Sequence, residues 1–190
     1  MTDLDQDDDD LTDLDFTKAF AEETPVAAPV ITPVQEKKFE EEAIIGESSL
    51  TSNGYFVRLN EAAPKRSARN KPAQVLVVED DMVTATLLLR ILSAQGFRVR
   101  HAGNREAIVN GLKLFPDLVL LDVLLPDANG FDILNRIRQH PNLKDMPVLM
   151  LTSLGSLDDI LKGLKHGANG YLTKPAKSNA LIEAIKKLIA

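Results

Sequence analysis

The sequence predicts an α/β protein, a doubly wound five-stranded parallel sheet with helices on both faces, preceded by a largely disordered N-terminal extension. Two observations carry this. From Gln74 onward, short apolar runs alternate five times with amphipathic stretches, the pattern of crossover connections between parallel strands. Before that point charge comes in blocks and prolines are regularly spaced, which suits a chain without a core of its own. The boundary is therefore expected at residue 73, with an extension over 1–73 and a folded domain over 74–190.

QVLVV (74–78) is a nearly continuous β-branched run, as expected of a strand buried on both faces. A helix should follow over about 82–95, burying Leu88, Leu89, Ile91 and Leu92 and stopping at Gly96. The unit recurs with FRVRH (97–101) before a helix over about 104–114, and with DLVLLD (117–122) before one over about 130–139. PVLMLT (147–152) precedes a helix over about 157–166, and GYLT (170–173) precedes a last one over about 177–189.

The 190 residues carry 22 Lys+Arg against 28 Asp+Glu, but unevenly: residues 1–73 hold 16 acidic and 8 basic side chains, residues 74–190 hold 12 and 14. Within the extension, TPVAAPVITPV (24–34) reads as an extended spacer. QEKKFEEEAII (35–45), closed by Gly46, could form three turns of helix, and GYFVRLN (54–60) alternates like a short strand. Neither has enough apolar partners for a core, so each must dock on something or stay mobile. LTDLDFTKAF (11–20) places Leu11, Leu14, Phe16 and Phe20 in an acidic run. It is either a segment that folds in a partner's groove or a solubilising tail.

With no cysteine there is no disulfide framework, thiolate zinc site or cysteine nucleophile. The acidic start MTDLDQDDDD is unlike a secretory leader, and no stretch approaches the ~20 apolar residues of a membrane span, so a cytoplasmic location is expected. His101, His140 and His166 are scattered, which argues against a histidine metal site. GANG (167–170) lacks the spacing of a phosphate loop and reads as a turn into the fifth strand. KRSARNK (65–71) reads as a solvated basic tether, not a nucleic-acid surface.

In a parallel sheet the chemistry gathers beyond the carboxyl ends of the strands. Glu79, Asp80 and Asp81 follow the first predicted strand, Asp122 ends the third, Thr152 ends the fourth, and Lys174 and Pro175 follow the fifth. Clustered carboxylates stay ionised together only around a cation, and hard oxygen ligands suit Mg²⁺. A carboxylate beside that ion can attack a phosphoryl group, with Lys174 and Thr152 binding the charge spread over its oxygens. Each residue alone has a plainer explanation: an acid at a strand end is commonly a helix N-cap, and Lys-Pro a turn. The whole set, in order, favours phosphoryl transfer.

VLVVEDD, LVLLDVLLPDANGFDIL, VLMLTS and GYLTKPA resemble the four motif blocks of two-component response-regulator receiver domains, of the chemotaxis-type single-receiver kind, over 74–190. The resemblance implies strand order 2-1-3-4-5, Asp122 as phosphoacceptor, and Mg²⁺ held by Asp80, Asp122, the main-chain carbonyl of Leu124 and, through water, Glu79. It assigns Thr152 and Lys174 to the phosphoryl group. Tyr171 becomes the aromatic switch that turns inward when Thr152 is drawn toward that group, and Pro175 follows a cis peptide.

The expected function is a response regulator of a two-component phosphorelay, a signalling protein and not an enzyme beyond its own phosphorylation and dephosphorylation. A histidine kinase or phosphotransfer protein would supply the phosphoryl group and a downstream protein would receive the signal, with no DNA-binding output domain, no direct nucleic-acid contact and no membrane span. The alternative is a constitutive scaffold or localisation adaptor acting through the extension.

Leu124 and Leu154, each two residues beyond a functional position, cannot orient a hydrolytic water. If about 1.4 kcal/mol of that desolvation reaches the transition state, hydrolysis slows roughly tenfold. A Leu124→Asn, Leu154→Glu variant should therefore lose its acyl phosphate faster than wild type when decay is followed in Mg²⁺ buffer; equal decay refutes control by water access.

Overall fold

A computed structural model describes residues 20, 27, 29–58, 71–126, 128–153 and 156–189. In chain order its elements are α1 (Pro33–Asn53), β1 (Tyr55–Val57), β2 (Gln74–Val78), α2 (Met82–Ala94), β3 (Arg98–Ala102), α3 (Arg105–Leu112) and β4 (Leu118–Asp122). Then come β5 (Leu124–Leu125), β6 (Ala128–Asn129), α4 (Gly130–Gln139), β7 (Val148–Thr152), α5 (Leu157–Lys165), β8 (Gly170–Thr173) and α6 (Ser178–Ile189). The five expected strand–helix units are all present. Their strands lie parallel in the order β3-β2-β4-β7-β8, which is the expected 2-1-3-4-5.

Alternation along each strand divides the core into two layers. Leu76, Val78, Val119, Leu121, Val148, Met150 and Tyr171 face α3, α4 and α5. Val75, Val77, Leu118, Leu120, Leu149, Leu151 and Leu172 face α2 and α6, where Leu88, Leu92, Leu181 and Ile185 meet them. The three central strands are buried along nearly their whole length, as near-continuous apolar runs require. Asp81, Asn104, Asn129 and Ser156 cap the helices that follow strands. GANG is the expected turn: Asn169 donates to the Val148 carbonyl, and Arg138 ties Gly167, Asn169 and the Met146 carbonyl together at 2.7–2.9 Å.

In the extension the candidate helix and strand both form, with different bounds. Its helix is twice as long as the pattern suggested, running from a Thr32–Gln35 capping box through Gly46 to a left-handed cap at Gly54. Gly46 is not a stop: a Cβ there would lie 3.1 Å from Ile160 and from the Phe56 ring, so the glycine lets α1 approach α5 closely. β1 then adds antiparallel to β8, pairing Tyr55 with Leu172, Phe56 with Tyr171 and Val57 with Gly170. Among the described residues the sheet thus has six strands. Of the two outcomes left open for the helix and strand candidates, docking is the one seen over Pro33–Val57, and the physical reason is that both pieces find their apolar partners on the folded domain. Phe39, Ala43, Leu50 and Phe56 join the layer containing Ile160 and Tyr171, and so does Phe20. Covering the outer edge of β8 also satisfies backbone groups that an edge strand leaves open. The other apolar residues of 11–20 lie outside the described residues, as do 59–70 with most of the KRSARNK run.

Phe56→Ala should loosen this attachment, since emptying a buried phenylalanine site costs on the order of 3 kcal/mol. Hydrogen exchange is expected to speed at the amides of Arg58 and Thr173, which bond across the β1–β8 junction, while the central-strand amide of Val119 keeps its protection.

Candidate functional site

The carboxyl ends of β2, β4, β7 and β8 meet at one edge of the sheet, so residues nearly a hundred positions apart become neighbours. Lys174 stands at the centre. Its ammonium is 2.6 Å from Asp122 Oδ2, 2.7 Å from Glu79 Oε2 and 3.0 Å from Glu79 Oε1. The hydrogen bond to Glu79 is directed at Oε1, which leaves the buried Oε2 in ionic contact but without a hydrogen bond. The Lys174–Pro175 peptide is cis, and the Lys174 amide donates to the Thr152 carbonyl at 2.7 Å. The last residue of β7 is thereby fixed to the strand end that carries the lysine.

Glu79, Asp122 and Thr152 are buried, whereas Asp80 is exposed on the rim. Burial pushes the Glu79 carboxyl above the ordinary carboxylate range, the Asp122 charge adds to this, and Lys174 opposes both. Burial alone would lower the Lys174 ammonium, but its bonds to Asp122 and Glu79 outweigh that and raise it. Oxygens of Glu79, Asp80 and Asp122 all lie within 4.8 Å of one another, the one grouping among the described residues able to hold a metal ion. Three carboxylates so close, one with a buried oxygen lacking a hydrogen bond, fit a hard divalent cation.

Asp81, third in the acidic run, has the plainer role. Its Oδ1 accepts from the Thr84 amide at 2.7 Å as the cap of α2, and this bond holds its carboxyl below the usual range. Leu124 stands at the mouth of the site with 61% of its surface exposed, and its amide donates to Asp122 Oδ1 at 3.1 Å. It belongs to the small β5–β6 hairpin, which the sequence reading missed because two-residue strands have no periodicity to detect. Leu154 lies outside the described residues. The histidines sit apart: His101 Nε2 is 2.7 Å from the Glu79 carbonyl, His140 caps α4, and His166 Nδ1 pairs with Asn135.

Tyr171 is enclosed beneath α5, its hydroxyl donating toward the carbonyls of Asp159 (3.3 Å) and Ile160 (3.2 Å). That position exists only because residue 163 is glycine, since a Cβ there would fall on the phenol oxygen.

A doubly wound α/β fold whose parallel strands deliver a lysine and three carboxylates to one edge defines a class of phosphoryl-handling signalling domains. Within that class, this chain belongs to the response regulator receiver domain family, whose model matches residues 75–186. It is 34% identical over 117 residues to the phosphate regulon transcriptional regulatory protein PhoB of Escherichia coli, a match covering 61% of this chain and 51% of that protein. The chain spans about half the length of the curated relatives it matches. Among solved structures, chemotaxis protein CheY4 of Vibrio cholerae superposes with TM-score 0.59 at 30% identity, covering 62% of this chain and 98% of that one. The receiver domain of the Pseudomonas aeruginosa sensor histidine kinase PA1611, described with a magnesium ion coordinated in its active-site cleft, gives 0.58 at 28%, covering 62% and 98%. Among the described residues no helix is long and apolar enough to cross a membrane.

Burial holds the Tyr171 phenol well above its ordinary value of 10.0. The folded state therefore keeps a proton that the unfolded chain releases, and stability from this group is full below about pH 10 and declines as pH rises beyond it. Spectrophotometric titration should show this tyrosine ionising abnormally late in the wild type, and earlier in Gly163→Ala, where the added methyl displaces the ring.

Proposed function

We propose that this chain is a phosphorylation-gated switch in which Asp122 accepts a phosphoryl group from the phosphohistidine of a histidine kinase or phosphotransfer protein and passes the signal on by contact with another protein. The observation that carries the reading is the Lys174 ammonium bridging the buried carboxylates of Asp122 and Glu79, a charge pattern that suits an incoming phosphoryl group better than it suits fold stability. An Asp122 oxygen attacks phosphorus, the P–N bond breaks with its electron pair going to the imidazole, and an acyl phosphate forms on Asp122. Lys174 then pairs with a phosphoryl oxygen, and Thr152 brings its hydroxyl to another. Asp80, Asp122, the Leu124 carbonyl and, through water, Glu79 would hold Mg²⁺. Bound there, the ion offsets the repulsion between the acids and the arriving phosphoryl oxygens.

We take residues 74–190 as the receiver and the rest as its extension, acting in the cytoplasm. The output is assigned to a protein partner because, among the described residues before the receiver, the helix and strand of the extension bind protein, namely the receiver itself.

Asp122→Asn should abolish acid-labile labelling by acetyl phosphate in Mg²⁺, while Asp81→Asn, which keeps a good N-cap, should retain nearly all of it. Undiminished label on the Asp122 variant refutes the assignment. Lys174→Ala and Thr152→Ala should uncouple labelling from partner binding, and wild-type responses from both would show that the signal does not pass through this edge.

A further inference from the structure

The extension grips the receiver at two places that lead directly to the acidic edge. The Gly54 carbonyl accepts both the amide and the hydroxyl of Thr173, each at 3.2 Å. The next residue is Lys174, whose amide is bonded to Thr152 and whose ammonium spans Asp122 and Glu79. On the apolar side, Phe56 pairs with Tyr171 across the strands, and Gly46 backs onto both Phe56 and Ile160. The carbonyl of Ile160 accepts the Tyr171 hydroxyl. Around these contacts, Tyr55 bonds Glu183 and Lys187 of α6 at 2.8 Å, and Glu36 pairs with Lys165 of α5 at 2.7 Å. Exposed pairs of this kind contribute little, so the attachment rests mainly on the buried apolar residues and on the strand pairing.

The docked segment needs Ile160 and β8 where they are now, with Tyr171 inside and Thr173–Lys174 held against Thr152. A phosphoryl group on Asp122 would meet the same Lys174 ammonium, and so would act on the strand that the docked segment holds. Two ligands that select one conformation strengthen each other, and by equal factors. We propose that the Thr32–Arg58 segment is an intramolecular ligand of the α5–β8–α6 face whose docking is positively coupled to occupancy of the Asp122 site, so that attachment of the extension reports phosphorylation. This rests on the reading of Asp122 as the phosphoacceptor and goes beyond it in naming the element that responds.

The test uses the full chain with Mg²⁺ and beryllium fluoride as a phosphoryl mimic, read by hydrogen exchange at the Arg58 and Thr173 amides and by calorimetric affinity. Saturation with the mimic should slow exchange at both amides by about fivefold or more, the lower end of measured couplings. Gly46→Leu, which crowds Ile160 and Phe56, should weaken mimic binding by a comparable factor, and Tyr55→Phe should weaken it less in the same direction. Retained protection at Val119 certifies that each variant is folded. Mimic that binds while leaving exchange at the two amides unchanged or faster overturns the coupling, as does wild-type affinity in both variants. Failure of the wild type to bind, or equal binding by Asp122→Asn, overturns the reading of Asp122 itself and the coupling with it.

Discussion

Two carboxylates cannot stand buried and charged at one sheet edge without a cation between them, and in this protein that cation is the Lys174 ammonium. Neither Glu79 nor Asp122 has appreciable contact with solvent, so taking the lysine away would leave an uncompensated pair whose cheapest response is to protonate. The raised Glu79 carboxyl already shows the balance tilting that way with the lysine present. Everything that aims Lys174 therefore bears on the site: the pairing of β8 with β7, the bond from its amide to Thr152, and the anchoring of Thr173 by the extension.

The parallel sheet explains why these residues can be so far apart in sequence. Each crossover returns the chain to the same end of the sheet, so every strand contributes its last residue to a common edge. The two apolar layers hold the strands in register, and register here is unforgiving because a slip of one residue would exchange the faces of every side chain. Asp122 would then turn into a layer, and a layer leucine would arrive at the edge.

The strands and helices of the receiver were legible because their periods are unambiguous and their capping residues are conventional. The site was legible residue by residue for the same reason: a strand's end can be read, and parallel topology says that the ends meet. What the residues in isolation could not show was which acid does what. Asp80 and Asp81 are identical in type and adjacent, and only the bond from the Thr84 amide marks the second as a cap. The docking of the extension was left open for a different reason. The alternation of GYFVRLN suggests a strand without naming the strand it will pair with, and α1 shows only a weak apolar stripe, its buried positions being Phe39, Ala43, Gly46 and Leu50. Gly46 looked like a terminator because glycine usually is one; its purpose, close approach to α5, becomes visible only when α5 is placed beside it. Docking is a property of two surfaces, and one surface alone carries no sign of it.

β8 draws these threads into four residues. Gly170 admits β1, Tyr171 enters the layer under α5, Leu172 enters the opposite layer against α6, and Thr173 holds the extension, one step before Lys174. Alternation obliges neighbouring residues of a strand to serve opposite faces, and a strand moves as a unit because its backbone bonds are shared with both neighbours. A shift of the lysine large enough to follow a new charge at Asp122 is therefore felt at Tyr171 on one face, at Leu172 on the other and at Gly54 across the edge. A core strand with strands on both sides has little freedom for such a shift. β8 has β7 on one side and only the three-residue β1 on the other, so the strand bearing the lysine is held less firmly than β4 and β7, whose neighbours on both sides pair over four residues. On its outer side the strand is held by the pairing with β1 and by the two bonds from Thr173 to the Gly54 carbonyl, both supplied by the extension.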